Sequence, residues 1–273
     1  MSNVGMMSYG RAIWDAVQGN RGIAWGVWWN VGLLVLSLAA MPFDGRKILG
    51  LNPWVKPVKF DVSVIVFLVT VAVLMKALGD EPEWVGMRVW MGWGFGVAMI
   101  VEDTVIALQS ARGVRSHMNF TTPLNAGLFG TMGVAILVST LLSAWLLVSW
   151  CRTDAGMAPV VVWGIRLGLV MLLVASVEGV RMVAHGSHTV GAADGGPGLA
   201  FVNWSTGHGD LRVAHFFALH ALQIFPVVGM VLASTKMRSG VQLGGLFGFV
   251  VAYAWVVWWM FAEAMKGVAL VGG

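Results

Sequence analysis

Residues 123–151 read PLNAGLFGTMGVAILVSTLLSAWLLVSWC, and no Asp, Glu, Lys or Arg occurs between Arg115 and Arg152. A helix needs about 20 predominantly apolar residues to cross a hydrocarbon core of about 30 Å, and this stretch is longer. It has no polar face to turn toward water, so as a helix it belongs in lipid. Working outward, six further stretches are long and predominantly apolar: residues 23–41, 57–78, 85–109, 158–183, 211–234 and 241–265. Strand-like alternation is absent, which argues against a β-barrel. The expected fold class is therefore an all-α integral membrane protein, a single bundle of about seven transmembrane helices. Most connections are short, so consecutive helices should run antiparallel as one polytopic domain over residues 1–273. Residues 1–22 should form an N-terminal interfacial segment, with Ile13, Trp14 and Val17 on its apolar side. Residues 186–210 form a Gly-rich loop, read as either a lid or a mobile tether.

Composition agrees. Of 273 residues, 58% are apolar and 11% charged, with a mean hydropathy of +0.80. Soluble domains run at about 45–50% and about 25%. A soluble enzyme, a disordered chain and a nucleic-acid binder are excluded. The net charge of +4 suits basic loops beside lipid. Cys151, the single cysteine, excludes a disulfide framework and a Cys-ligated iron–sulfur cluster. Lysine and arginine divide almost evenly between the two faces. The terse turn 235–239, with Lys236 and Arg238, favours the N-terminus inside a bacterial cytoplasmic membrane.

Ionisable groups inside spans are costly and need an interior partner or a wet cavity. All six histidines fall toward the face opposite the N-terminus. Glu178, Arg181, His185 and His188 recur at helical spacing on one face of the fifth span, where a Glu178–Arg181 pair is the simplest use of the charges. Glu102, Gln109, Arg112 and Ser116 do the same on the third span, with Asp103 about 100° away and His117 at the exit. The sixth span opens at Asp210, an expected N-cap, and carries Arg212, His215, His220 and Gln223 within one arc. Lys56 and Lys59, beside Asp61, read best as snorkelling cations at a helix end.

Neutral imidazoles with carboxylates are the ligand set of Fe, Cu or Zn, and a pair of imidazoles is that of haem. The sequence therefore points first to a metal- or haem-binding membrane protein, a redox enzyme or electron-transfer component with a pocket open to one face. The expected ligands are Glu102, Glu178, His185, His215 and His220, with Gln109, Arg112, His117, Arg181, Asp210 and Arg212 around them or contacting substrate. The cofactor would be haem b or a non-haem metal. The partners would be the lipid bilayer and other subunits of a membrane complex. A proton-coupled transporter or ion pathway, and a structural subunit of a larger complex, are the alternatives. No phosphate-binding loop, nucleophile elbow or HExxH motif competes.

An odd number of spans places the termini on opposite sides. Tags at Ser2 and Gly273 should show opposite protease accessibility in spheroplasts; equal accessibility of both would contradict seven spans.

Overall fold

The computed structural model describes residues 3–153 and 155–271. Eight α-helices follow in chain order: α1 Asn3–Gln18, α2 Arg21–Ala40, α3 Val55–Lys76, α4 Pro82–Ala111, α5 Pro123–Arg152, α6 Pro159–His185, α7 Leu211–Ala233 and α8 Ser239–Met265. Seven of them, all but α1, are long and apolar enough to cross a membrane, and they coincide with the seven stretches read from the sequence. Three, α4, α5 and α6, begin on proline, whose fixed φ and missing N–H suit the first helical position. Asn20 caps α2 by accepting from Ile23 N, and Asp210 caps α7 as expected. The helix α6 ends on Gly186 in the left-handed conformation, φ 78°.

The chain divides into two compact units. The first comprises Met1–Ile48 and Asn52–Leu142; the second comprises Leu49–Leu51 and Ser143–Gly273.

In the first unit α2 crosses α4 backbone to backbone. Gly22 and Gly26 on α2 face Gly92 and Gly96 on α4. A methyl group on Gly22 would lie 2.5 Å from the Gly92 carbonyl carbon, and one on Gly26 would lie 3.0 Å from Gly96 Cα. One on Gly96 would strike the Gly22 carbonyl, and one on Gly92 the Asn20 amide. That amide also donates to Arg88 O at 2.7 Å, so the cap of α2 fastens it to α4. Helices in lipid gain little from hiding apolar surface from each other, so close backbone approach does the work. The helix α3 packs on both, with Leu68, Val71 and Met75 fully or almost fully buried. Phe67 meets Phe95 edge to face at 5.6 Å. The N-terminal segment is helical over Asn3–Gln18; Ala16 and Val17 are buried, whereas Ile13 and Trp14 are exposed.

The second unit repeats the device with other residues. Gly164 and Gly168 on α6 lie under α7, where added methyl groups would sit 2.6 Å from Phe225 O and 3.0 Å from Ala221 O. Gly229 on α7 approaches Val160 O in the same way, at 2.7 Å. Ala175, Ala214, Ala218 and Ala221 are fully buried along this seam. The helix α8 rests on α7, and Tyr253 donates its hydroxyl proton to Phe217 O at 2.8 Å. Loop 186–210 carries a short antiparallel pair, β1 Thr189–Val190 with β2 Gly209–Asp210.

The α2–α4 crossing yields a direct expectation. Gly96→Val should push the helices apart and cost about 1–3 kcal/mol, read as a clear fall in the melting temperature of the detergent-solubilised protein. Gly86→Ala on the same helix, where a methyl group meets nothing within 4 Å, should leave the melt unchanged or slightly raised.

Candidate functional site

The polar heart of the first unit is formed by three carboxyl groups on two helices. Asp61 of α3 is fully buried, and Glu102 and Asp103 of α4 are 2% and 1% exposed. Among the described residues both oxygens of Asp61, both of Asp103 and Oε2 of Glu102 find no hydrogen-bond partner. Asp103 lies within electrostatic reach of both Asp61 and Glu102. The Ser37 hydroxyl of α2, also fully buried, lies against Asp61 without closing a hydrogen bond of ordinary geometry.

The approach to α3 fixes Asp61. Asn52 donates to Met41 O at 3.0 Å and Asp44 O at 2.7 Å, and Trp54 Nε1 donates to Asp44 Oδ2 at 3.0 Å. Asp44 also pairs with Arg46 at 2.6 Å. This knot turns the chain into α3 so that Val58, Asp61, Val64, Leu68, Val71 and Met75 form its buried stripe.

A histidine closes the cluster. His117 Nε2 lies 3.5 Å from Glu102 Oε1, and Nδ1 lies 3.1 Å from both Lys56 Nζ and Ser116 Oγ. A Lys56 ammonium donating to Nδ1 leaves the ring proton on Nε2, facing Glu102. Phe60 and Phe129 flank the imidazole at 5.6 and 6.0 Å between centroids. Lys56, expected to snorkel, instead bonds the ring that covers the carboxyls, because α3 starts beside the connection that carries His117.

That connection is held by amides. Arg112 donates through one nitrogen to Gln109 Oε1 at 2.5 Å and Asn125 Oδ1 at 2.8 Å. Asn125 in turn donates to Thr121 Oγ1 at 2.9 Å, and Thr121 to Asn119 Oδ1 at 2.7 Å. Gln109 and Arg112, expected around a metal or substrate anion, are engaged in positioning the α4–α5 corner.

The other expected ligands lie in the second unit. His215 Nδ1 lies 2.9 Å from Ala175 O, and a neighbouring acceptor makes this nitrogen a donor. His220 packs against Phe216 at 4.3 Å between ring centroids. Among the described residues one buried oxygen of Glu178 finds no partner, while Arg181 and His185 are exposed. Among the described residues Glu178 and Arg181 form no ion pair, so that simple use of the charges is not realised. Among the described residues no group of three or more His, Cys, Asp or Glu side chains is arranged to hold a metal ion.

Asp210 and Arg212 brace the Gly-rich loop. Arg212 pairs with Asp210 at 2.6 Å and donates to Asn203 O, and Asp210 also accepts from Ser205 N at 2.8 Å. Asp194, absent from the expected site, accepts from His188 N at 3.1 Å, Thr189 N at 2.9 Å and the His188 ring at 3.0 Å. The loop is thus internally bonded. Burial pushes the Asp194 carboxyl up, but hydrogen bonds from the His188 ring and Thr189, with the His188 charge, outweigh it and hold it well below the usual carboxylate range.

Comparison with known proteins finds no matching family model, curated protein or solved structure. The geometry of the site therefore carries the functional argument.

Because Asp194 is a stronger acid folded than unfolded, its contribution is complete above the ordinary carboxylate range. It is lost as pH falls through that range toward the folded value. Asp194→Asn should speed amide hydrogen exchange at His188 and Thr189 by about tenfold or more, given about 1.5–3 kcal/mol for hydrogen bonds to a charged group. Protection in α6 and α7 should be unaffected. Unchanged exchange at His188 and Thr189 would contradict the bracing role.

Proposed function

We propose that the protein is a proton-coupled membrane transporter or ion pathway in which Asp61, Glu102 and Asp103 form the proton-binding group. One observation carries this reading: three carboxyls buried together with almost no hydrogen-bond partners. Three adjacent negative charges away from water repel one another and lack solvation. The cluster is relieved by holding protons shared among its members, and such coupled groups give up protons as a set. Intramembrane carboxyls with a neighbouring histidine are the usual material of proton relays.

His117 supports a route into the cluster. It is part-exposed, touches Glu102 on one side and Lys56 on the other. As Nε2 delivers its proton to Glu102, the Lys56 ammonium passes one of its own to Nδ1, and the neutral amine so formed is reprotonated from water. With the N-terminus in the cytoplasm, this mouth opens on the outer face. Deeper in the membrane, Asn30 on α2 is fully buried, its Oδ1 without a partner among the described residues, two turns from Ser37 on the same face. It offers the next polar atom along the helix.

An apolar carbodiimide attacks carboxylic acids that are protonated and out of water. Treatment in membranes should place the adduct on Glu102, Asp103 or Asp61, located by peptide mass spectrometry, and labelling should decline as pH is raised. In proteoliposomes, proton flux driven by a potassium-diffusion potential should fall by about tenfold or more in Glu102→Gln and Asp103→Asn. Thr131→Val, at an exposed hydroxyl of α5, should leave it intact. Labelling confined to surface acids, together with flux unchanged in both carboxyl variants, would overturn the reading.

A further inference from the structure

Arg166 lies within the α6 span, about 10 Å along the axis from Pro159. An arginine there is costly unless it finds polar company. Its Nε donates to Trp150 O at 3.0 Å, a carbonyl close to the C-terminal end of α5. Its Cζ lies 5.2 Å from the Trp163 ring centroid, so the indole covers one face of the guanidinium. Among the described residues nothing else bonds it, which leaves both terminal nitrogens, with four N–H donors, unoccupied.

Arg166 lines a cleft of about 210 Å³ together with Thr153, Met157, Pro159, Val162 and Trp163. Thr153, Met157 and Pro159 come from the α5–α6 connection and the start of α6, so the cleft sits at the membrane surface. Side chains on a helix lean toward its N-terminus, which brings the Arg166 head to that level. Trp163, 38% exposed, is the kind of residue that lines the headgroup layer. The volume equals about seven waters at about 30 Å³ each, enough for a phosphate with part of its hydration. Asp154 of the same connection lies outside the described residues.

We propose that this cleft is a phosphate-binding site, with the anion held end-on by the two terminal nitrogens of Arg166. A planar guanidinium whose Nε is already committed presents those two nitrogens as a ready fork for paired oxygens. Trp163 fixes the plane of the fork, and Trp150 O fixes its direction. The phosphate belongs to a lipid headgroup or is free in solution, and the chemistry of recognition is the same.

Native mass spectrometry of the detergent-purified protein tests this, with phosphatidylglycerol, diacylglycerol and inorganic phosphate as probes. The wild type should retain one phosphatidylglycerol at a concentration about tenfold or more below that needed by Arg166→Gln. Arg166→Lys, which keeps the charge without the fork, should fall between them. Inorganic phosphate that is retained in an Arg166-dependent way, or displaces the lipid, assigns the site to free phosphate; lipid binding undisturbed by it assigns the site to a headgroup. Equal retention in wild type and Arg166→Gln overturns the proposal. If Arg166→Gln does not fold, retention of diacylglycerol by the wild type as strongly as phosphatidylglycerol, without Arg166-dependent phosphate binding, overturns it equally.

Discussion

The close crossing of α2 and α4 is the constraint on which the first unit depends. Lipid tails are as apolar as leucine, so two membrane helices stay together through close packing and hydrogen bonds. Here four glycines bring the backbones so near that a methyl group at Gly22, Gly92 or Gly96 would collide with its neighbour. Polar bonds pin both sides of the contact: Asn20 to Arg88 O, and Trp29 Nε1 to Thr104 Oγ1 at 2.8 Å. Glu102 and Asp103 follow Gly96 by about two turns, roughly 10 Å along α4. The crossing thereby fixes where those carboxyls stand, and α3, packed on both helices, brings Asp61 to them.

The second unit reaches a similar rigidity by different means. Its seam pairs Gly164 and Gly168 with a run of buried alanines, and Pro226 lies inside α7 at that seam. Its polar residues serve the architecture: His215 ties α7 to the Ala175 carbonyl, and Asp194, Asp210 and Arg212 stiffen the loop above the helices. Arg166 spends its Nε on the Trp150 carbonyl and lines the cleft proposed to take phosphate.

The seven spans were legible because hydrophobic length is a one-dimensional property; each helix matches its apolar stretch to within a few residues. The N-cap at Asp210 was legible for the same reason, since capping is local. Site membership was only half legible. Glu102 and His117 were singled out and do meet, and Gln109 and Arg112 do bond each other. Asp61 and Asp103 are visible in the sequence but fall outside the expected ligand set, because periodicity along one helix does not say which neighbour it faces. The stripe Val58, Asp61, Val64, Leu68, Val71, Met75 contained the missing signal: an acid at helical spacing within an otherwise apolar buried face. Glu178 and His185 share a face of one helix by spacing, as His215 and His220 share an arc of another, yet spacing along a helix does not say which neighbour that face meets. His215 spends a ring nitrogen on a carbonyl, and His185 faces outward.

The central claim is that Asp61, Glu102 and Asp103 hold shared protons inside the membrane, and infrared spectroscopy of the purified protein addresses it most directly. The account predicts a carbonyl stretch of neutral carboxylic acid that persists at neutral pH, shifts in deuterated water, and weakens in Asp61→Asn, Glu102→Gln and Asp103→Asn. Absence of that band at neutral pH, or a band untouched by all three substitutions, would contradict it.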